Sequence, residues 1–127
     1  MKKTLRSGQE KKRKGLIISR RFTEINKDVF LDFKYEQRSS VIKNPKGDIV
    51  FENKEVEVPV GWSQVATDIL AQKYFRRTGV PLKNGSTGGE NSAKQVVHRM
   101  ADCWKDWGQQ YGYFASKKDA DAFYDEV

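Results

Sequence analysis

Cysteine occurs once in this chain, at Cys103. One thiol can neither close an internal disulfide nor supply a dithiol pair, so a disulfide scaffold and a self-contained dithiol redox enzyme are both excluded. The cytoplasm is the expected location. Histidine also occurs once, at His98. It has no partnered Cys, His or close carboxylate pair at ligand spacing, so no metal site is expected. No run approaches the roughly 20 apolar residues that a membrane span requires. The basic start is not followed by the apolar core of a signal peptide. No membrane partner is expected. Glycines cluster at Leu82–Gly89, but the Lys-Ser or Lys-Thr pair of a phosphate-binding loop is missing there.

What remains is charge and aromatic side chains. Hydrophobic residues make up 37% of the 127 positions, charged residues 32% and aromatics 12%. That is one domain at most, with a modest core, and too aromatic to be simply disordered. The net charge of +7 is unevenly placed. Lys2, Lys3, Arg6, Lys11, Lys12, Arg13, Lys14, Arg20 and Arg21 stand against a single early acid, Glu10, and the rest of the chain is close to neutral. Residues 1–14 lack any apolar period and read as a mobile basic arm. Such an arm either solubilises the chain or holds a phosphate-rich partner weakly by counterion release.

The body, 15–127, reads as α+β. The alternation of Leu31, Phe33 and Tyr35 predicts a half-buried strand over 29–35. Asn44-Pro-Lys-Gly47 carries type I turn preferences between two apolar runs, predicting an antiparallel hairpin of 39–43 with 48–53, extended further through Val56 and Val58. A helix is predicted within Gly61–Pro81, with Trp62, Val65, Ala66, Ile69, Leu70 and Tyr74 as its buried face. Its entry lies at Pro59, Gly61 or Ser63; Lys73, Arg76 and Arg77 fall in its last turn and Gly79 ends it. Leu82–Gly89 reads as a flexible connector. Ser92 and Gln95 form a capping box for a second helix, whose stripe is Ala93, Val96, Val97, Met100, Trp104 and Trp107 and whose end is Gly108 or Gly112. His98 falls on the opposite side with Lys94, Asp102 and Lys105, and Cys103 at the stripe's edge, where a buried inert thiol is the ordinary case. Ser116 caps a third helix with Ala120, Phe123, Tyr124 and Val127 on one face, a pattern cut off at the last residue. The three tryptophans are therefore expected in a core or an interface.

The literal residues go further than the periodicity. Arg20-Arg-Phe-Thr23, Arg38-Ser-Ser-Val-Ile42, Val56-Glu-Val-Pro59, the Trp62 helix through Arg76-Arg-Thr-Gly-Val-Pro81, Gly89-Glu90, Val96-Val-His-Arg99, Trp104-Lys-Asp-Trp-Gly108, Gly112-Tyr-Phe114 and Asp119-Ala-Asp-Ala-Phe-Tyr-Asp-Glu126 resemble, in order, the amino-terminal region of the class II, adenosylcobalamin-dependent ribonucleotide reductases. The resemblance spans about 15–127. It implies radical reduction of ribonucleotides to 2′-deoxyribonucleotides for DNA synthesis, in a ten-stranded α/β barrel on which this region packs. The family's radical and redox cysteines, its acid/base carboxylate and its Asn-Ser-Pro nucleotide segment have no counterpart here. No catalytic, cofactor-binding or metal-binding residue is therefore carried over, Cys103 included. The implied partners are the barrel portion, and through the full enzyme a ribonucleotide substrate and a nucleotide effector. The competing reading is a small basic nucleic-acid-binding or stand-alone interaction module, supported by the arm alone.

Overall fold

The structure, a computed structural model, describes residues 14–127. The expected arm, 1–14, thus lies almost wholly outside the described residues. Within them are three α-helices and two small two-stranded antiparallel sheets, an α+β arrangement. In chain order these are a short 3-10 helix Val29–Asp32, strands β1 (Tyr35–Lys43) and β2 (Ile49–Pro59), helix α1 (Gln64–Ile69) running into a π-helical turn Leu70–Tyr74, β3 (Val80–Pro81), β4 (Thr87–Gly88), α2 (Ala93–Gln110) and α3 (Lys117–Glu126).

The hairpin is as expected and longer. Asn44 folds its turn by accepting from Lys46 N–H and Asp48 N–H through Oδ1, both at 2.9 Å. The expected strand over 29–35 is corrected: Asp28 accepts from Phe30 N–H and caps a 3-10 turn, so extended structure resumes only beyond it. Leu31 and Phe33 are exposed as a result.

Of the three candidate entries to α1, Ser63 is the cap, accepting from Ala66 N–H at 3.1 Å. The end differs from expectation. Phe75 N–H reaches back five residues to Leu70 O, and Phe75 then turns extended and buries its ring. Arg76 and Arg77 therefore lie beyond the helix, and Gly79 does not close it. The cause is a carboxylate fourteen residues ahead. Glu90 accepts Arg76 N–H at 2.6 Å, while Arg99 Nη2 donates to Tyr74 O at 3.0 Å. The buried face of α1 is also corrected. Thr67, Leu70, Ala71 and Phe75 turn inward, whereas Trp62, Val65, Ile69 and Tyr74 are exposed. Thr67 sits fully buried because its hydroxyl donates to Ser63 O and accepts from Arg38. Arg38 also donates to Val60 O and Trp62 O, tying the hairpin to α1.

The expected connector 82–89 is a tight β3–β4 hairpin instead. Asn84 Oδ1 takes Ser86 N–H and Oγ–H, and Gly85 supplies the left-handed residue. Helix α2 starts at the predicted capping box and ends past Gly108. Gly112 N–H bonds Gln109 O and Tyr113 N–H bonds Gly108 O, the paired closure of a Schellman motif with Gly112 at positive φ. Gly108 stays helical, and the Phe114 ring occupies the space where its Cβ would be. Ser116 caps α3, as predicted.

The core is small: Val56 and Val58 of β2, Leu70, Ala71 and Phe75, and Ala93 and Val96 of α2, with Phe51 packed against it. Most large apolar side chains lie outside it.

Candidate functional site

The segment after Gly15 runs alongside the end of the chain. Leu16 N–H donates to Tyr113 O at 2.7 Å, and Ala115 N–H donates to Leu16 O at 2.8 Å. Ile18 N–H then meets Asp119 Oδ1 at 3.0 Å, and Arg20 meets Asp125 at 2.7 Å. Finally the backbone N–H groups of Arg21, Phe22 and Thr23 converge on the Glu126 carboxylate at 2.9 to 3.2 Å, joined by the Thr23 hydroxyl. That hydroxyl, then the three N–H groups, hold the Glu126 carboxyl down at about 2. Acids at a helix C-terminus oppose its dipole. Here Asp125 and Glu126 are tolerated because a separate stretch of chain supplies the donors. Two segments about 100 residues apart in sequence thus form one clasp.

A groove of about 670 Å³ opens between this clasp, the hairpin and the start of α2. Phe22, Phe30, Phe33, Trp62, Val97 and Val127 line it, so it is predominantly apolar. A second hollow of about 380 Å³ holds Arg20, Lys27, Lys105, Lys117 and Lys118. Its cations are largely committed: Arg20 to Asp125, Lys105 and Lys117 to Asp121, and Lys27 to Asp32. Lys105 in turn lowers the Asp121 carboxyl.

His98 is exposed, and its Nδ1 shares a 2.6 Å hydrogen bond with Tyr124 Oη. The polar side of α2, where His98 was placed with Lys105, packs on α3 through both residues. Cys103 is exposed as well, where a buried thiol was expected. Among the described residues no three His, Cys, Asp or Glu side chains cluster in a way that could hold a metal ion. Trp104 and Trp107 project outward from α2 instead of filling a core. The feature that sequence reasoning missed is the Glu90 centre. With its side chain 1% exposed, Glu90 accepts from Arg76 N–H and from Arg99 Nε and Nη2, both at 3.1 Å.

The family model of the class II vitamin B12-dependent ribonucleotide reductases matches residues 36–127. This chain belongs to that family. It is similar to the vitamin B12-dependent ribonucleotide reductases of Bradyrhizobium diazoefficiens (38% identical, over 87% of this chain and 11% of that protein) and Agrobacterium fabrum (37%, with the same shares). It is also similar to that of Rhodopirellula baltica (36%, over 77% of this chain and 9% of that protein). The chain thus spans about a tenth of the length of these reductases.

Membership gives the quoted motifs a physical reading. Gly89-Glu90 and the Arg99 motif meet in one buried ion pair, Arg38 binds the hairpin to α1, and the Arg20–Thr23 and Asp119–Glu126 segments form the clasp. All three build structure. The relatives' vitamin B12 finds no fitting residues among those described. The single imidazole is engaged by a phenol, and the groove offers an apolar wall with few donors. No chemistry through that cofactor is assigned to these residues.

Proposed function

We propose that this chain is the amino-terminal portion of an adenosylcobalamin-dependent reductase that converts ribonucleoside di- or triphosphates to 2′-deoxyribonucleotides for DNA synthesis. It is one packing domain, 15–127, behind a basic arm, 1–14, and it works in the cytoplasm. It contributes no catalytic, cofactor-binding or metal-binding residue. Its role is to pack on the ten-stranded barrel portion, which holds the cofactor, the substrate and the nucleotide effector. The observation that carries this reading is the family match over 36–127 at only 11% of the relatives' length. Two features of the chain support it. The family motifs are spent on internal joints, and apolar surface is left uncovered, with Phe22, Phe33, Trp62, Trp104 and Trp107 all exposed. The nucleic-acid reading rests on the arm alone and gains nothing from residues 14–127.

Size-exclusion chromatography of the chain with the separately produced catalytic portion of the same reductase tests the proposal. Co-elution at a one-to-one ratio is expected. Independent elution at tens of micromolar, with both pieces folded, would overturn it.

A further inference from the structure

Helix α2 carries a second pattern that the core does not use. Val97, Met100, Trp104, Trp107 and Tyr111 repeat at intervals of three and four residues, the a and d spacing of a helix-packing seam. All five are exposed, from 38% at Met100 to 69% at Tyr111. The residues beside them, Ala101 and Gly108, are small and buried against this chain's own structure. The seam therefore does not face α3, which takes His98 and Lys105. At its amino-terminal end Val97 lines the apolar groove together with Trp62 and Val127, so groove and seam form one strip.

We propose that this strip seats an amphipathic α-helix of the catalytic portion of the reductase. This rests on the reading above, that the chain docks on that portion. The alternating three-four spacing selects a helix laid nearly parallel or antiparallel to α2, at about 20°, because an edge strand presents a period of two. From Val97 to Tyr111 the seam runs roughly 21 Å at 1.5 Å per residue, which calls for about four turns of partner helix. No charged residue stands on the seam, and its centre is two tryptophans, a residue type enriched among the side chains that dominate interface energetics. About nine-tenths of each relative lies outside the region that this chain matches, and that length supplies the occupant. A second copy of this chain is the competing occupant.

The test measures binding of the full chain to the separately produced catalytic portion. Met100→Lys and Trp104→Glu are each expected to weaken binding at least about 30-fold. The isolated variants should keep the parent's circular dichroism and melting temperature, because both side chains are exposed in the free chain. Ile49→Lys and Val50→Lys, exposed at the far end of the hairpin, are the controls and should bind like the parent. Cys103, exposed and lying three residues after Met100 and four before Trp107, borders the seam on the helix surface and gives a readout that needs no seam variant: its reaction with a thiol reagent should slow at least about tenfold in the complex. Seam variants that bind like the parent, or a Cys103 thiol as reactive in the complex as free, would overturn the seam while leaving the proposed function standing. Sedimentation of the chain alone covers the other occupant: a dimer that Trp104→Glu dissociates, with binding to the catalytic portion unchanged, would also overturn it. If the parent chain does not bind at all, both fall together.

Discussion

Arg99→Met is the substitution whose cost can be worked most directly from the structure. It keeps an apolar stem of similar length and removes the guanidinium from Glu90. The carboxylate, 1% exposed, then retains only Arg76 N–H of its three donors. Hydrogen bonds to charged groups contribute about 1.5–3 kcal/mol each. Removing one partner of a buried pair typically costs about 3–5 kcal/mol, since an uncompensated charge stays behind. Arg99 itself is 28% exposed, so water eases part of the penalty and the low end applies, about 3 kcal/mol. Set against the 5–15 kcal/mol that holds a typical domain together, that is a large fraction. Urea unfolding followed by tryptophan emission would read it as a shifted midpoint at unchanged slope. The double variant Glu90→Gln with Arg99→Met should lose less than the two single losses added, because the stranded charge is gone. A loss under about 1 kcal/mol for Arg99→Met, the scale of a surface ion pair, would refute the buried-pair reasoning.

Three further outcomes are expected. Glu126 is held at about 2, below the 4.5 of an ordinary glutamate. Its contribution is therefore full above pH 4.5 and lost as pH falls through about 2, so the parent should lose thermal stability across that window more steeply than Glu126→Gln; parallel curves would contradict the clasp. Gly15→Ala places a Cβ against the Phe114 and Ala115 backbone and should cost about 1–3 kcal/mol, with faster hydrogen exchange at Leu16 and Ala115 N–H; an unchanged midpoint and exchange pattern would contradict that approach. Cys103→Ser should leave turnover of the reconstituted enzyme intact, because serine can replace an exposed bystander but not a thiyl or disulfide partner; an inactive, folded variant would put Cys103 in the chemistry.

Local chemistry in this chain was legible where one side chain acts on its own neighbourhood. The Ser92–Gln95 box, the Ser116 cap, the Asn44 turn and the Gly112 closure all sit where the residues put them. What failed did so for two reasons. The first is distance along the chain: Glu90 ends the helix at Tyr74, and Glu126 gathers Arg21, Phe22 and Thr23. No window of a dozen residues contains both partners. The second is that an apolar stripe shows that a face is covered without naming its cover. On α1 the inward residues are Thr67, Leu70 and Ala71, while Val65 and Ile69 of the predicted face point out. On α2 only Ala93 and Val96 of the predicted stripe are buried. The candidate interface was therefore visible in the sequence as hydrophobic residues, with core and interface left as alternatives for its tryptophans. The family resemblance supplied the class of enzyme, and the residues alone could not have done so.

The measurement that bears most directly on the chain's role is deoxyribonucleotide formation by the separately produced catalytic portion, with adenosylcobalamin and a dithiol, with and without this chain. The chain alone should form no product, since a two-electron reduction needs a thiol pair and it has one cysteine. The two pieces together should turn over, and the catalytic portion alone should be inactive or severely impaired. Full activity of the catalytic portion by itself, unchanged on adding this chain, would contradict the assignment of the chain as a working part of the reductase.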